Sequence, residues 1–179
     1  MKTVLFAGVA LVLATSAFAQ SKAAVTSSGS EDIEFVLDAA KGGMAEVELG
    51  KLAAERAKND EVKKFAQRMV DDHTKAGDQL KSIAESKGIK LPTEMEAKDR
   101  ALMNRLQKLN GAAFDRAYMQ SMVADHEKDV AKFREEAKSS PDPDVKDFAS
   151  RTLPTLESHL QMARDISGEM KHTTSGARR

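Results

Sequence analysis

Four side chains in this sequence could hold a metal ion: Glu46, His73, His126 and His159. Each sits in an apolar pattern that steps by three and four residues. His73 lies among Val62, Ala66, Met69, Ala76, Leu80 and Ile83, and His126 among Met119, Met122, Val130, Phe133 and Ala137. His159 lies among Val145, Ala149, Thr152, Leu156, Ala163 and Ile166. Glu46 shares its stripe with Phe35, Ala39, Gly42, Leu49 and Ala53, and Gly42, one turn earlier, leaves room beside it. That spacing marks the inward face of an amphipathic helix, so all four polar groups are predicted to point into a core. One carboxylate and three imidazoles suit a single transition-metal ion such as zinc, iron, copper or manganese. The competing reading is a buried hydrogen-bond network that fixes helix register without metal.

The neighbours of these residues narrow the chemistry. A two-metal carboxylate oxidase needs Glu-x-x-His pairs, and the residues three before the histidines are Val70, Val123 and Leu156. Met69, Met122 and Met162 lie three or four residues from a histidine and are secondary ligand candidates for copper, although methionine also fills helical cores. Asp72 and Asp125 each precede a histidine and turn about 100° away from it, which predicts solvated groups. Glu48 falls on a surface stripe, and His172 lies in a polar tail. With no Ser-His-Asp set, phosphate loop or cysteine in the sequence, binding is favoured over catalysis.

Helices must position these groups. Hydrophobic residues make up 41% of the 179 residues and charged residues 31%, with seven Phe, one Tyr and no Trp, a composition for amphipathic helices rather than strands. Long helices are expected over about 31–58, 61–87, 112–138 and 144–170. Asn59-Asp60 should cap the second, Gly88 stop it, and Pro141 to Asp144 break the chain before the last. Between Gly88 and Gly111 a short helix should open at Pro92-Thr93, with Thr93 and Glu96 spaced as a capping box. Pro154 should kink the last helix. Asp60 to Arg68 resembles Pro143 to Arg151, with Val, Phe and Ala at matching places, which suggests two related helical hairpins. Two hairpins joined by one long crossover make a ferritin-like four-helix bundle, with its middle positions at one level.

The ends read as addressing and padding. Lys2, the apolar run Val4 to Leu13 and Ala17-Phe18-Ala19 form a signal peptide over 1–19, cut before Gln20. A Ser-rich flexible leader over 20–30 precedes the bundle domain, 31–170, and 171–179 is expected to be a disordered tail. The mature chain has no membrane span, which places it in the periplasm or outside the cell. Basic and acidic residues balance at 28 each, which gives no electrostatic reason to bind nucleic acid.

Five segments carry a family resemblance: Glu46 to Ala53, Phe65 to His73, Leu109 to Tyr118, Met122 to His126 and Leu153 to Leu160. In order, they resemble the bacterial domain-of-unknown-function family 4142 over about 31–167. The resemblance implies a ferritin-like bundle on exported proteins and no particular activity. The functional expectation is therefore an exported helical bundle that binds a metal ion. Its alternative is a structural or interaction protein of the cell envelope.

Overall fold

The computed structural model describes the backbone of residues 18–176 and the side chains of 29–170. The described residues form five helices and no strand: α1 Phe18–Arg56, α2 Asp60–Ser86, α3 Ala97–Gln107, α4 Gly111–Ser139 and α5 Pro143–Gly176. Helices α1 and α2 form one hairpin, and α4 and α5 the other. The Lys58 and Asn59 amides, just past α1, donate to the carboxylate of Asp115 near the start of α4, both at 3.0 Å. At the opposite end the Ser140 hydroxyl, just past α4, donates to Asp32 on α1 at 2.8 Å. Helices α1 and α4 are therefore antiparallel. Lys87 at the end of α2 pairs with Asp142 and Asp144 at the start of α5, so those two are antiparallel as well. It follows that α2 and α4 run parallel, and the crossover carrying α3 spans the bundle between them. This is the ferritin-like arrangement.

Local chemistry explains most boundaries. The Asn59 side chain accepts from the Glu61 and Val62 amides and caps α2, and Gly88 ends it with φ 67°, a conformation that costs glycine little. Asp142 caps α5 by accepting from the Asp144 and Val145 amides, with Pro143 in the first turn. Helix α5 continues through Pro154. The capping box expected at Thr93 and Glu96 does not form: α3 starts later, at Ala97, and Glu96 pairs with Lys41 and Lys98 instead of capping. Both ends are more helical than expected. Helix α1 begins at Phe18 and runs through the segment read as a leader, and α5 runs on to Gly176 through most of the segment read as a tail. Neither stretch contains a proline, so nothing there stops a helix from propagating. The expected signal peptide lies, up to residue 17, outside the described residues.

Two apolar clusters fill the bundle. One gathers Leu49, Phe65, Met69, Phe114, Tyr118 and Met122, and the other Phe35, Leu80, Val130, Phe133, Phe148 and Leu156. In sequence, each of the four candidate ligands falls between residues of one cluster and residues of the other. Helices α1 and α2 approach closely at Gly50, where a Cβ would lie 3.0 Å from the Ala66 carbonyl oxygen and from Val70 Cγ2.

The hairpin repeat is physical. Val62, Phe65 and Ala66 are buried on α2 just as Val145, Phe148 and Ala149 are on α5, 83 positions later. The caps Asn59 and Asp142 keep that offset, and so do the helix ends Arg56 and Ser139. Asp32 and Asp115 obey it too, each holding the turn of the other hairpin. The bundle is thus a pair of similar hairpins, each pinned by the other.

Candidate metal centre

The middle of each long helix delivers one polar side chain to the core. Glu46 is 5% exposed, His73 7%, and His126 and His159 0%. Their flanking positions are Val, Leu, Met, Phe and Ala, so each helix buries its stripe and the polar residue goes in with it.

The three imidazoles meet. Each offers a ring nitrogen, and these three atoms lie within 4.8 Å of one another. His126 Nε2 stands 3.4 Å from His159 Nδ1. The other ring nitrogens have partners that settle the protons. His126 Nδ1–H donates to the Met122 carbonyl at 3.0 Å, which leaves a lone pair on Nε2. His159 Nε2–H donates to Asp72 at 2.8 Å, which leaves a lone pair on Nδ1. The 3.4 Å gap therefore separates two acceptors. His73 Nδ1 lies 3.0 Å from Glu46 Oε2, and its Nε2 is buried with no hydrogen-bond partner.

Burial keeps the rings neutral. It holds His73 well below the usual imidazole range, with His126 and His159 nearby adding to the effect. Burial, with His159 close by, lowers His126 to about 4. His159 is also lowered by burial, against the opposing pull of Asp72. Burial lifts the Glu46 carboxyl well above its ordinary value, and Asp129 and Asp125 push the same way. Burial would also raise Asp72, but its bonds to His159 and Arg68 outweigh that and hold it low.

Glu46 joins the layer from behind the rings. Its oxygens lie 3.0 Å from His73 Nδ1 and 3.4 Å from His126 Nδ1, and its compact donor group is with His126 and Asp129. Asp129 stands 83 positions after Glu46, so the hairpin repeat brings two carboxylates to this level. Among the methionines, Met69 and Met122 pack into an apolar cluster, and the Met162 sulfur accepts from Arg68 at 3.6 Å.

Asp72 was expected in solvent, and the structure corrects this. Its side chain is one-third exposed and reaches from α2 to α5 to bind His159, while Arg68 steadies it from one turn away. The helical angle does turn Asp72 off the stripe of His73, but a residue that leaves its own stripe can still face the adjacent helix. The carboxylate immediately before His73 was the available signal. Asp125 did not join the layer in this way, and Lys128 pairs with it at the surface. Tyr118 was missed altogether: its hydroxyl is buried without a partner, and burial together with Glu46 raises its pKa.

Among the described residues, no helix is long and apolar enough to cross a membrane. No curated protein matches the chain. Two solved structures share its fold. A DUF305 protein from Streptomyces coelicolor superposes with a TM-score of 0.67 at 16% identity, covering 78% of this chain and 93% of its own. A DUF305 fragment from Deinococcus radiodurans gives 0.69 at 15% identity, covering 77% and 95%. At that identity the likeness concerns the fold alone. The family profile "Domain of unknown function (DUF4142)" matches residues 15–166, and the chain belongs to that family.

Proposed function

We propose that this protein is an exported binder of a single transition-metal ion, held by His73, His126 and His159. The observation that carries the reading is the pair of lone-pair nitrogens facing each other across 3.4 Å. Without a cation between them, two acceptors in a dry core repel. Two ligands at about 2.05 Å from a tetrahedral ion stand about 3.3 Å apart, close to this spacing. His73 Nε2, unpaired and buried, supplies the third donor.

Glu46 and Asp72 then act as carboxylates behind the ligands. Each accepts from the far nitrogen of a ring, which orients it and raises its basicity, as carboxylate–histidine–metal chains do. Three neutral nitrogens suit zinc, iron or copper and leave a fourth position for water or another ligand. Export rests on the basic, apolar and small-residue order of the first nineteen residues, and the Streptomyces neighbour is itself a proposed secreted protein.

Metal analysis of protein purified without a polyhistidine tag tests the reading. The expected content is about one equivalent of one metal, with a rise in melting temperature on adding it to the stripped protein. Less than about a tenth of an equivalent, with no melting shift on adding Zn²⁺, Cu²⁺ or Fe²⁺, would leave the layer as a structural network.

A further inference from the structure

Carried across the hairpin repeat, the histidine layer leads to a hollow. The positions 83 before His126 and His159 are Gly43 and Ala76, and both line a cleft of about 560 Å³ that opens between α1 and α2. Where the second hairpin carries two imidazole rings, the first carries a hydrogen atom and a methyl group. A Cβ built at Gly42, Gly43 or Gly77 would meet nothing within 4 Å, so the space is open. Gly77 lies one turn after His73, and Gly42 one turn before Glu46. The hollow therefore lies beside the pair that His73 forms with Glu46.

Of the three histidines, His73 is the one this cleft reaches. It lines the cleft and is 7% exposed, whereas His126 and His159 are 0% exposed and line none of its walls. The rings are also held differently. His126 is tied to the Met122 carbonyl of its own helix, and His159 to Asp72, which Arg68 steadies. His73 is tied at Nδ1 to Glu46, a residue of the same cleft wall, and its Nε2 has no hydrogen-bond partner. Other clefts miss the rings. One beside α3 is lined by Glu46 but by no histidine, and one between α2 and α5 meets Phe65, Arg68 and Met162 but no histidine. The mouth of the first cleft also suits a cation. At its rim Glu48 pairs with Lys51 and Glu85 with Lys81, and Asp78 has no ion pair among the described residues, which leaves a carboxylate to attract positive charge.

We propose that the metal ion enters and leaves the histidine layer through this cleft, with His73 as the gate. Turning the His73 ring into the hollow breaks its bond to Glu46 and withdraws one of three donors. The ion then rests on His126 and His159, with a coordination position open to water or an incoming chelator. The proposal rests on the metal reading and adds its route of exchange, through one wall of the bundle rather than by unfolding.

Full-length protein loaded with Zn²⁺ and mixed with excess of the chelating dye zincon tests this by the rate of release. Gly43→Leu and Gly77→Leu fill the hollow from α1 and from α2. Gly43→Ala and Gly77→Ala are their controls, because alanine and leucine strengthen a helix nearly equally while alanine leaves most of the space open. Each Leu variant should hold the wild-type content of Zn²⁺ and release it about tenfold or more slowly than its Ala partner. Equal rates within a folded pair, or wild-type release no faster than unfolding, overturn the proposal. A pair that fails to fold leaves the decision to the other. A wild type that takes up no Zn²⁺ overturns the metal reading for zinc and the route with it. Zn²⁺ that is bound but released at equal rates overturns the route alone.

Discussion

The two hairpins of this bundle share a skeleton and differ in what they carry on it. Val62, Phe65 and Ala66 have twins in Val145, Phe148 and Ala149, the caps Asn59 and Asp142 correspond, and Asp32 and Asp115 each hold the opposite turn. Of the positions at the candidate metal centre, the carboxylates Glu46 and Asp129 correspond, but the three histidines have no counterparts. His126 and His159 face Gly43 and Ala76 across the repeat, and His73 faces Leu156. Repeated positions thus carry the packing and one pair of carboxylates, and the positions where the hairpins diverge carry the three ring-nitrogen donors. A core needs similar volume at each shared contact, whereas a site needs one set of donors at one place.

The skeleton should respond alike in both hairpins. Phe65→Ala and Phe148→Ala each remove a buried ring and should each cost about 3–5 kcal/mol in chemical denaturation. Costs that differ by more than about 2 kcal/mol would break the equivalence of the hairpins. The aspartates should respond less, and unequally. Asp115 uses both oxygens on backbone amides, and Asp115→Ala strands those donors at a cost of about 2–3 kcal/mol. Asp32 receives one hydroxyl, and Asp32→Ala should cost about 1 kcal/mol. Equal losses would show that the amide bonds are not what separates the two turns.

The skeleton was legible in the sequence because it is written in periodicity. The stripes around Met69, Met122 and Leu156 identified the buried faces, and the middle of each stripe identified the layer. Asn59 and Gly88 gave boundaries because their chemistry is local. Thr93 and Glu96 had the spacing of a cap but not its outcome: Lys41 and Lys98 lie beside Glu96 and offer it full charges instead of an amide. Asp72 was misplaced for the same reason. Its partner His159 is 87 residues away, and no pattern on α2 announces it. The repeat was visible over nine residues, but the correspondence of His126 with Gly43 has no signal in residue type and emerges only when the helix ends align.

Divergent positions should affect stability less than shared ones. His126→Leu replaces a buried imidazole with an apolar side chain of similar size, and the metal-free variant should lie within about 1 kcal/mol of the metal-free wild type. The same variant should lose the melting shift on adding metal, which at a hundredfold excess over Kd corresponds to about 2.7 kcal/mol in the wild type. A loss of several kcal/mol in the metal-free state, with the metal response intact, would place His126 in the skeleton and remove it from the site.

The smallest difference between the hairpins lies at their turns and is a matter of pH. Asp32 has Glu136 for a neighbour, and the position 83 before Glu136 is Ala53, so the other turn has no second acid there. Burial lifts the Glu136 carboxyl to about 7, with Asp32 adding to the rise and Lys132 and Ser140 opposing it. A carboxyl raised in the folded state binds more protons folded than unfolded, so stability must fall as pH rises from its unfolded value toward 7. The protonated acid fits the turn beside Asp32, and the ionised one is repelled. Denaturation midpoints should therefore decline between about pH 5 and pH 8. Glu136→Ala, which copies the other hairpin, should make that decline shallower, with Glu46 and Asp129, both raised by burial, accounting for the remainder. A slope unchanged by the substitution would assign the pH response to another group and leave the two turns electrostatically equivalent.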